Sequence, residues 1–261
     1  MSIITNKDRL GNFTSSNIYR LLGINSTKAV ERKKALTYIE ECNMERELGI
    51  SLGLETEARP INWGKHCEQF AFQETGLKYT ITSDITVVHA TINFWAGSAD
   101  GYSDDAVFDL KCPMTRKSFF KLVAGENIYS MIDGFTRNGA TYTEHPDADK
   151  YYWQLVSNAI LLGKKYGELI VYMPSIADLV NIKEAAKEQY NWIYYASDIE
   201  LPHLPDNCPI PTLNTIRFEI PQKDIDLLTG CVIDAGKLLI QPYSGILLTP
   251  QQDGVIIADR L

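Results

Sequence analysis

Two acidic residues and a lysine stand at a spacing that could do hydrolytic chemistry: Asp100, in Ser98-Ala99-Asp100-Gly101, and then Asp109-Leu110-Lys111. Side chains on a strand alternate faces, so Asp109 and Lys111 share one face while Phe108 and Leu110 share the other. A turn at Asp100-Gly101 that brings Asp100 beside Asp109 would make two carboxylates converge with an amine close by. Oxygens at that density suit a hard divalent cation; magnesium would complete its octahedron with waters, a phosphate oxygen and the backbone carbonyl of Leu110. Such an ion polarises a phosphate and acidifies a bound water, while the lysine orients or helps deprotonate that water and offsets developing charge. On these residues alone a plainer alternative stays open. In a chain with 33 acidic residues the spacing also arises by accident, and a charge pair on a strand is often a solvated face.

The elements that must position these residues read as a mixed α/β core. Residues 14–23 look like a hydroxyl-capped helix ended by glycine, and 28–48 continue helical with mixed charge. In the segment from Ile61 to Gly76, Trp63, Cys67, Phe70 and Ala71 fall at helical spacing and predict a buried stripe. From about Lys78 the pattern turns to β-branched and aromatic residues, predicting strands over 78–90, 91–97 and 106–111. Helices over 115–123 and 151–163 follow, with a buried strand over 167–174 after them. The last third reads as a charged helix near 176–189, short strands near 191–196 and 214–220, a proline-rich loop over 202–211 and an amphipathic helix near 221–240. No repeat, low-complexity tract or linker divides the chain, so one domain over 1–261 is expected, with an unassigned C-terminal extension at about 241–261.

With 45% apolar side chains the chain can bury a core of one enzyme-sized domain. No apolar run is long enough to span a bilayer, and MSIITNKDRLGNF has no basic-then-apolar leader, so a soluble, unexported protein without membrane partners is expected. Cys42, Cys67, Cys112, Cys208 and Cys231 are scattered, without a C-x-x-C pair, which argues against a disulfide framework or zinc site. Cys112 is expected to pack rather than react, and His66 and His89 to be structural. The formal charge of −8 is mildly unfavourable for a nucleic-acid partner, although an acidic exterior is compatible with a local basic channel.

Four blocks in order carry a resemblance: RLGNFTSS (9–16), WGKHCEQFA (63–71), GSADG with FDLKCP (97–113) and YYWQ (151–154). Over about Arg9 to Tyr172 the chain resembles phage lambda exonuclease and its YqaJ-type viral-recombinase relatives, within the PD-(D/E)XK nuclease superfamily. The resemblance implies a restriction-endonuclease-like core, a central mixed sheet flanked by helices. It implies that Asp100, Asp109 and the Leu110 carbonyl hold one magnesium ion, and that Lys111 is the catalytic lysine. Glu68 with Asp100 would help hold a second ion, and manganese would substitute for magnesium. Gln154 matches a helical glutamine that steadies the lysine or a water, although a polar residue beside Tyr151 and Trp153 is also at home at an interface.

The same resemblance places a pocket for a terminal 5′-phosphate on Arg9, Ser16 and Ser98. An arginine fork and a helix start both favour an anion, while plain helix capping is the competing role for Ser16. The implied activity is 5′-to-3′ digestion of double-stranded DNA, releasing mononucleotides and leaving 3′ single-stranded tails for phage-type recombination. The implied partners are duplex DNA with 5′-phosphate ends, two further copies in a trimeric ring, and a single-strand annealing protein in a bacterial host cytoplasm. The competing readings are a DNA-end-binding protein without cleavage, an endonuclease and a Cas4-like nuclease; scattered cysteines disfavour the last. Two departures stand out: Asp109 where the family more often has glutamate, and a segment over 125–150 that looks longer than its counterpart.

Overall fold

The computed structural model describes residues 9–53, 58–76, 79–82, 85–188 and 192–240. The expected C-terminal extension at 241–261 lies outside them. The strands are β1 (Phe13–Thr14), β2 (Thr80–Ile81), β3 (Val87–Val88), β4 (Trp95–Gly97), β5 (Gly101–Tyr102), β6 (Ala106–Lys111), β7 (Phe135–Arg137), β8 (Ala140–Tyr142), β9 (Tyr166–Tyr172) and β10 (Leu213–Glu219). The α-helices are α1 (Ala29–Leu48), α2 (Arg59–Thr75), α3 (Arg116–Val123), α4 (Ile128–Asp133), α5 (Ala148–Leu162), α6 (Asp178–Glu188), α7 (Trp192–Tyr195) and α8 (Gln222–Gly236), and a 3-10 helix spans Ser15–Gly23.

The central sheet runs β10-β9-β6-β5-β2. It is mixed: β6 pairs with β9 in parallel, with Asp109 opposite Leu169. The β10–β9 and β5–β6 pairs are antiparallel. Alternation along the two long central strands sends apolar side chains to both faces, as a fully covered sheet requires. Phe108, Leu110, Ile170 and Tyr172 pack with Trp63, Cys67 and Ala71 of α2 and Leu179, Ile182 and Ala186 of α6. Val107, Leu169 and Val171 face the other way, into a core with Leu155, Val156 and Ala159 of α5, Ile18 and Leu21 of the 3-10 helix, and Val232 of α8. The product is a helix–sheet–helix sandwich.

Several expectations are corrected. Residues 192–195 form a short helix, not a strand; Ile193 is buried in the α2–α6 layer, Arg59 lies over the Trp192 ring, and this packing overrides the β preference of WIYY. The helix at 15–23 lacks its expected hydroxyl cap. Thr14 belongs to β1, paired with Ala96. Its backbone N–H donates to the Tyr38 hydroxyl, and its own hydroxyl lies near Tyr38 and Ser16 instead. Among the described residues of 78–97 the strands are three short pieces, and the helix near 221–240 stops at Gly236. The long segment 125–150, for which no elements were predicted, holds α4 and a hairpin, β7–β8.

Candidate active site

Strand β6 delivers Asp109 and Lys111 to the α5 face of the sheet, near its C-terminal end, as strand alternation requires. The Asp109 side chain is 1% exposed and lies 2.5 Å from the Lys111 ammonium through Oδ2. Its Oδ1 accepts a hydrogen bond from the Gln154 amide at 2.7 Å. Gln154 reaches it because α5 crosses this face, with buried Leu155, Val156 and Ala159 fixing the helix against the strand. The Lys111 ammonium also sits 5.0 Å from the centre of the Tyr151 ring, one turn earlier on α5, a cation–π contact.

Asp100 precedes β5, which pairs with β6, and its Oδ2 accepts from the Leu110 backbone N–H at 2.6 Å. The expected turn therefore does bring Asp100 beside the charged strand. Burial, then repulsion from Asp109, pushes its carboxyl up to about 7, against the pull of Lys111. Glu68 projects from α2, in the opposite helix layer. It forms no hydrogen bond or ion pair among the described residues, but burial raises its pKa, Lys111 pulls it down and Asp109 pushes it up. Burial acts to discharge Lys111, yet Asp109 and Asp100 outweigh it and stabilise the ammonium.

The structure thus brings Asp100, Asp109, Lys111 and Gln154 together, with Glu68 in electrostatic range. Among the described residues no three histidine, cysteine, aspartate or glutamate side chains close into a ready-made metal cluster. Lys111 and Gln154 occupy the Asp109 oxygens, and Asp100 accepts from a backbone amide. The residues nonetheless fit a hard cation. Asp109 pairs with the Lys111 ammonium, Asp100 and Glu68 feel its charge, and buried Asp109 Oδ2 meets no hydrogen-bond donor besides that ion pair.

The proposed phosphate residues flank a second, smaller sheet of order β1-β4-β3. Because β1 and β4 run parallel, with Phe13 opposite Trp95, Ser16 and Ser98 lie just past the C-terminal ends of neighbouring strands. Ser98 shares a hydrogen bond with Thr86 at 3.0 Å. Arg9 sits in the turn leading into β1, where its carbonyl accepts from Asn12, and its guanidinium has no carboxylate partner among the described residues. The three are not bonded to one another. Behind them, buried Ser157 of α5 links to Ser15 at 2.8 Å and accepts from the Trp95 indole N–H at 2.8 Å. Gly97 is required at this crossing, since a Cβ there would come within 2.1 Å of Ser15 Oγ. One helix therefore supports both Gln154 and the β1–β4 strand ends.

The histidine and cysteine expectations hold. His66 Nε2 lies 2.8 Å from the Ile182 carbonyl, and His89 stacks on Trp95 with its Nδ1 accepting backbone N–H groups. Cys112 is buried, and burial pushes its thiol well up, away from reactivity. Sequence reasoning passed over His145. It is 3% exposed, lies 2.6 Å from Ser118 Oγ through Nε2, and packs its ring 5.7 Å from Tyr151. No spacing rule marks it, because its partners come from α3 and α5.

The architecture is the mixed α/β fold that the sequence pattern predicts, a central mixed sheet flanked by helices with the charged strand at its centre. It is shared with solved exonuclease structures. The alkaline exonuclease LHK-Exo from Laribacter hongkongensis superposes with a TM-score of 0.53 at 17% identity, over 88% of this chain and 89% of that one. LHK-Exo in complex with dAMP gives a TM-score of 0.53 at 17% identity, over 89% and 90%. A phage related exonuclease from Haemophilus somnus 129PT gives a TM-score of 0.59 at 16% identity, over 87% and 92%. No protein-family model and no curated protein sequence matches the chain. Among the described residues no helix is long and apolar enough to cross a membrane.

Proposed function

We propose that the protein is a magnesium-dependent exonuclease that digests double-stranded DNA from its 5′ ends. The reading is carried by one observation: a buried Asp109 gripped by Lys111 and Gln154, with Asp100 alongside, on the central strand of a fold shared with exonucleases. Asp100, Asp109 and the Leu110 carbonyl would hold one ion, and Glu68 with Asp100 a second, manganese substituting. A bound divalent ion supplies Lewis acidity toward the scissile phosphate and lowers the pKa of a coordinated water. Gln154 keeps the Asp109 carboxylate in one orientation. Lys111, held as an ammonium, offsets the charge that develops on the phosphate in the transition state.

Hydrolysis adds a water oxygen to phosphorus and breaks the P–O3′ bond. A 5′-mononucleotide leaves with a 3′-hydroxyl, and the shortened strand carries a fresh 5′-phosphate. Arg9, Ser16 and Ser98 would recognise that group at each cycle, and the uncut strand becomes the 3′ tail passed to a single-strand annealing protein. A homotrimeric ring acting in a bacterial cytoplasm completes the reading; a measured oligomer mass tests the ring.

The test uses linear duplex with 5′-phosphate or 5′-hydroxyl ends, and a closed circle, each with protein and magnesium. Rapid loss of the first, slower loss of the second and an intact circle are expected. Cutting of the circle would mark an endonuclease, and binding without cutting a DNA-end-binding protein. Lys111→Ala should abolish hydrolysis, and Arg9→Ala should erase the preference for phosphorylated ends; unchanged behaviour would remove either residue from its role.

A further inference from the structure

Beyond the catalytic strand, α3 and the β7–β8 hairpin carry Arg116, Lys117, Lys121 and Arg137, and among the described residues none of the four meets a carboxylate. Elsewhere cations such as Arg20, Lys183 and Arg217 are neutralised by Glu41, Asp198 and the pair Asp105 and Glu168. On this ridge they are held by neutral acceptors. Arg116 Nε donates to the His203 carbonyl at 2.6 Å, and Arg137 Nη1 to the Ala124 carbonyl at 3.0 Å. Lys121 donates to Thr143 Oγ1 at 2.7 Å and to the Glu144 carbonyl at 2.8 Å. Lys117 is exposed and bonds to no described residue. A carbonyl orients a cation without cancelling its charge, so these four cations stay available to an anion, although Glu126, Asp133 and Glu144 lie exposed in the same stretch of chain.

The ridge is stiff. Asn138 and Gly139, both at positive φ, make the tight turn between β7 and β8. Phe135 stacks on Tyr142 with ring centres 4.9 Å apart, and Phe120 of α3 packs 5.1 Å from Tyr142. It is also tied to the catalytic residues: α3 follows Lys111 after a short link, and Ser118 of α3 meets His145, whose ring packs on Tyr151 beneath the Lys111 ammonium.

Resting on the exonuclease reading, we infer that α3 and the β7–β8 hairpin form a docking surface for the phosphate backbone of the duplex beyond the end being cut, with Lys117 and Arg137 as backbone contacts. Rigid, uncompensated cations beside the hydrolytic strand fit a polyanion, and no base-reading group is needed for a sequence-independent nuclease.

Anisotropy of a labelled blunt duplex with a 5′-phosphate, recorded in EDTA across a salt series, tests this without turnover. The variant is Lys117→Ala with Arg137→Gln, the glutamine keeping a donor for the Ala124 carbonyl; an unchanged melting temperature establishes that it folds. Each lost contact should lower the slope of log K against log salt by about 0.9, so roughly 1.8 for the pair, with weaker binding at every salt. A variant slope equal to the parent's, in a parent that binds and cuts duplex, overturns the ridge alone. A parent that neither binds nor cuts duplex overturns the exonuclease reading and the ridge with it.

Discussion

Two neighbouring strands each bury a carboxylate, and they treat it in opposite ways. Glu168, on β9, is 0% exposed and fully answered: Oε1 accepts from Arg217 at 2.7 Å and Oε2 from the Tyr79 hydroxyl at 2.5 Å. Arg217 also bonds Asp105 at 2.6 Å and lies over the Tyr166 ring. Asp109, on β6, has a lysine and an amide, but its charge raises the cost of ionising both Asp100 and Glu68 nearby. One cluster closes its charge account; the other carries surplus negative charge, as a cation-binding site must. A buried carboxylate is thus not itself a functional signal, whereas an incompletely compensated group of them is.

The comparison can be broken at its largest effect by two substitutions. Asp109→Asn should cut hydrolysis by roughly a thousandfold or more while leaving the melting temperature within a few degrees or raising it. Glu168→Gln should do the reverse, costing about 2 kcal/mol of stability by weakening the charge-assisted bond to Arg217, which keeps Asp105, with activity per folded molecule retained. Urea unfolding beside initial rates checks both, and an inactive but stable Glu168 variant would dissolve the distinction.

A smaller effect lies in pH. The Asp100 carboxyl, pushed up to about 7 in the folded chain from an ordinary value of 3.8, binds more protons folded than unfolded. Its ionisation therefore destabilises the metal-free protein, and stability should fall as pH rises between roughly 4 and 7. Thermal melting in EDTA should show that fall. Asp100→Asn should flatten it, and magnesium should restore stability at the upper end by binding the ionised form. The smallest effect concerns Gln154→Leu, expected to lower kcat by about tenfold, since only the orientation of Asp109 is lost. Full activity there would reassign Gln154 to packing.

Much of the sandwich was legible because its long elements keep a period. The alternation Phe108-Asp109-Leu110-Lys111 placed two charges on one face, and Trp63, Cys67 and Ala71 marked the buried stripe of α2. What stayed hidden was short or distant. Phe13–Thr14 and Gly101–Tyr102 are too brief to show a period, and residues 192–195 were misled by β-prone aromatics that tertiary packing coils into a helix. The hairpin had a usable signal, Asn138-Gly139 between Phe-Thr-Arg and Ala-Thr-Tyr, which went unread. Within the candidate site, the grip of Gln154 on Asp109 was not legible from spacing, since it joins residues 45 apart. Nothing local distinguishes Glu168 as a satisfied charge, because its partners come from β10 and the segment before β2.

The parallel pairing of β6 with β9 has a consequence for how the molecule comes into being. Parallel neighbours need a crossover between them, and here that crossover includes α5. A nascent chain that has just emitted Lys111 holds both acidic residues and the amine but neither the strand nor the helix that will bury them. Closure waits for β9 and β10, and then for α8, whose Cys231 thiol rests on the Leu22 carbonyl 209 residues away. Such non-local closure makes for slow folding. The buried cluster around Asp109 is therefore among the last parts of the molecule to assemble.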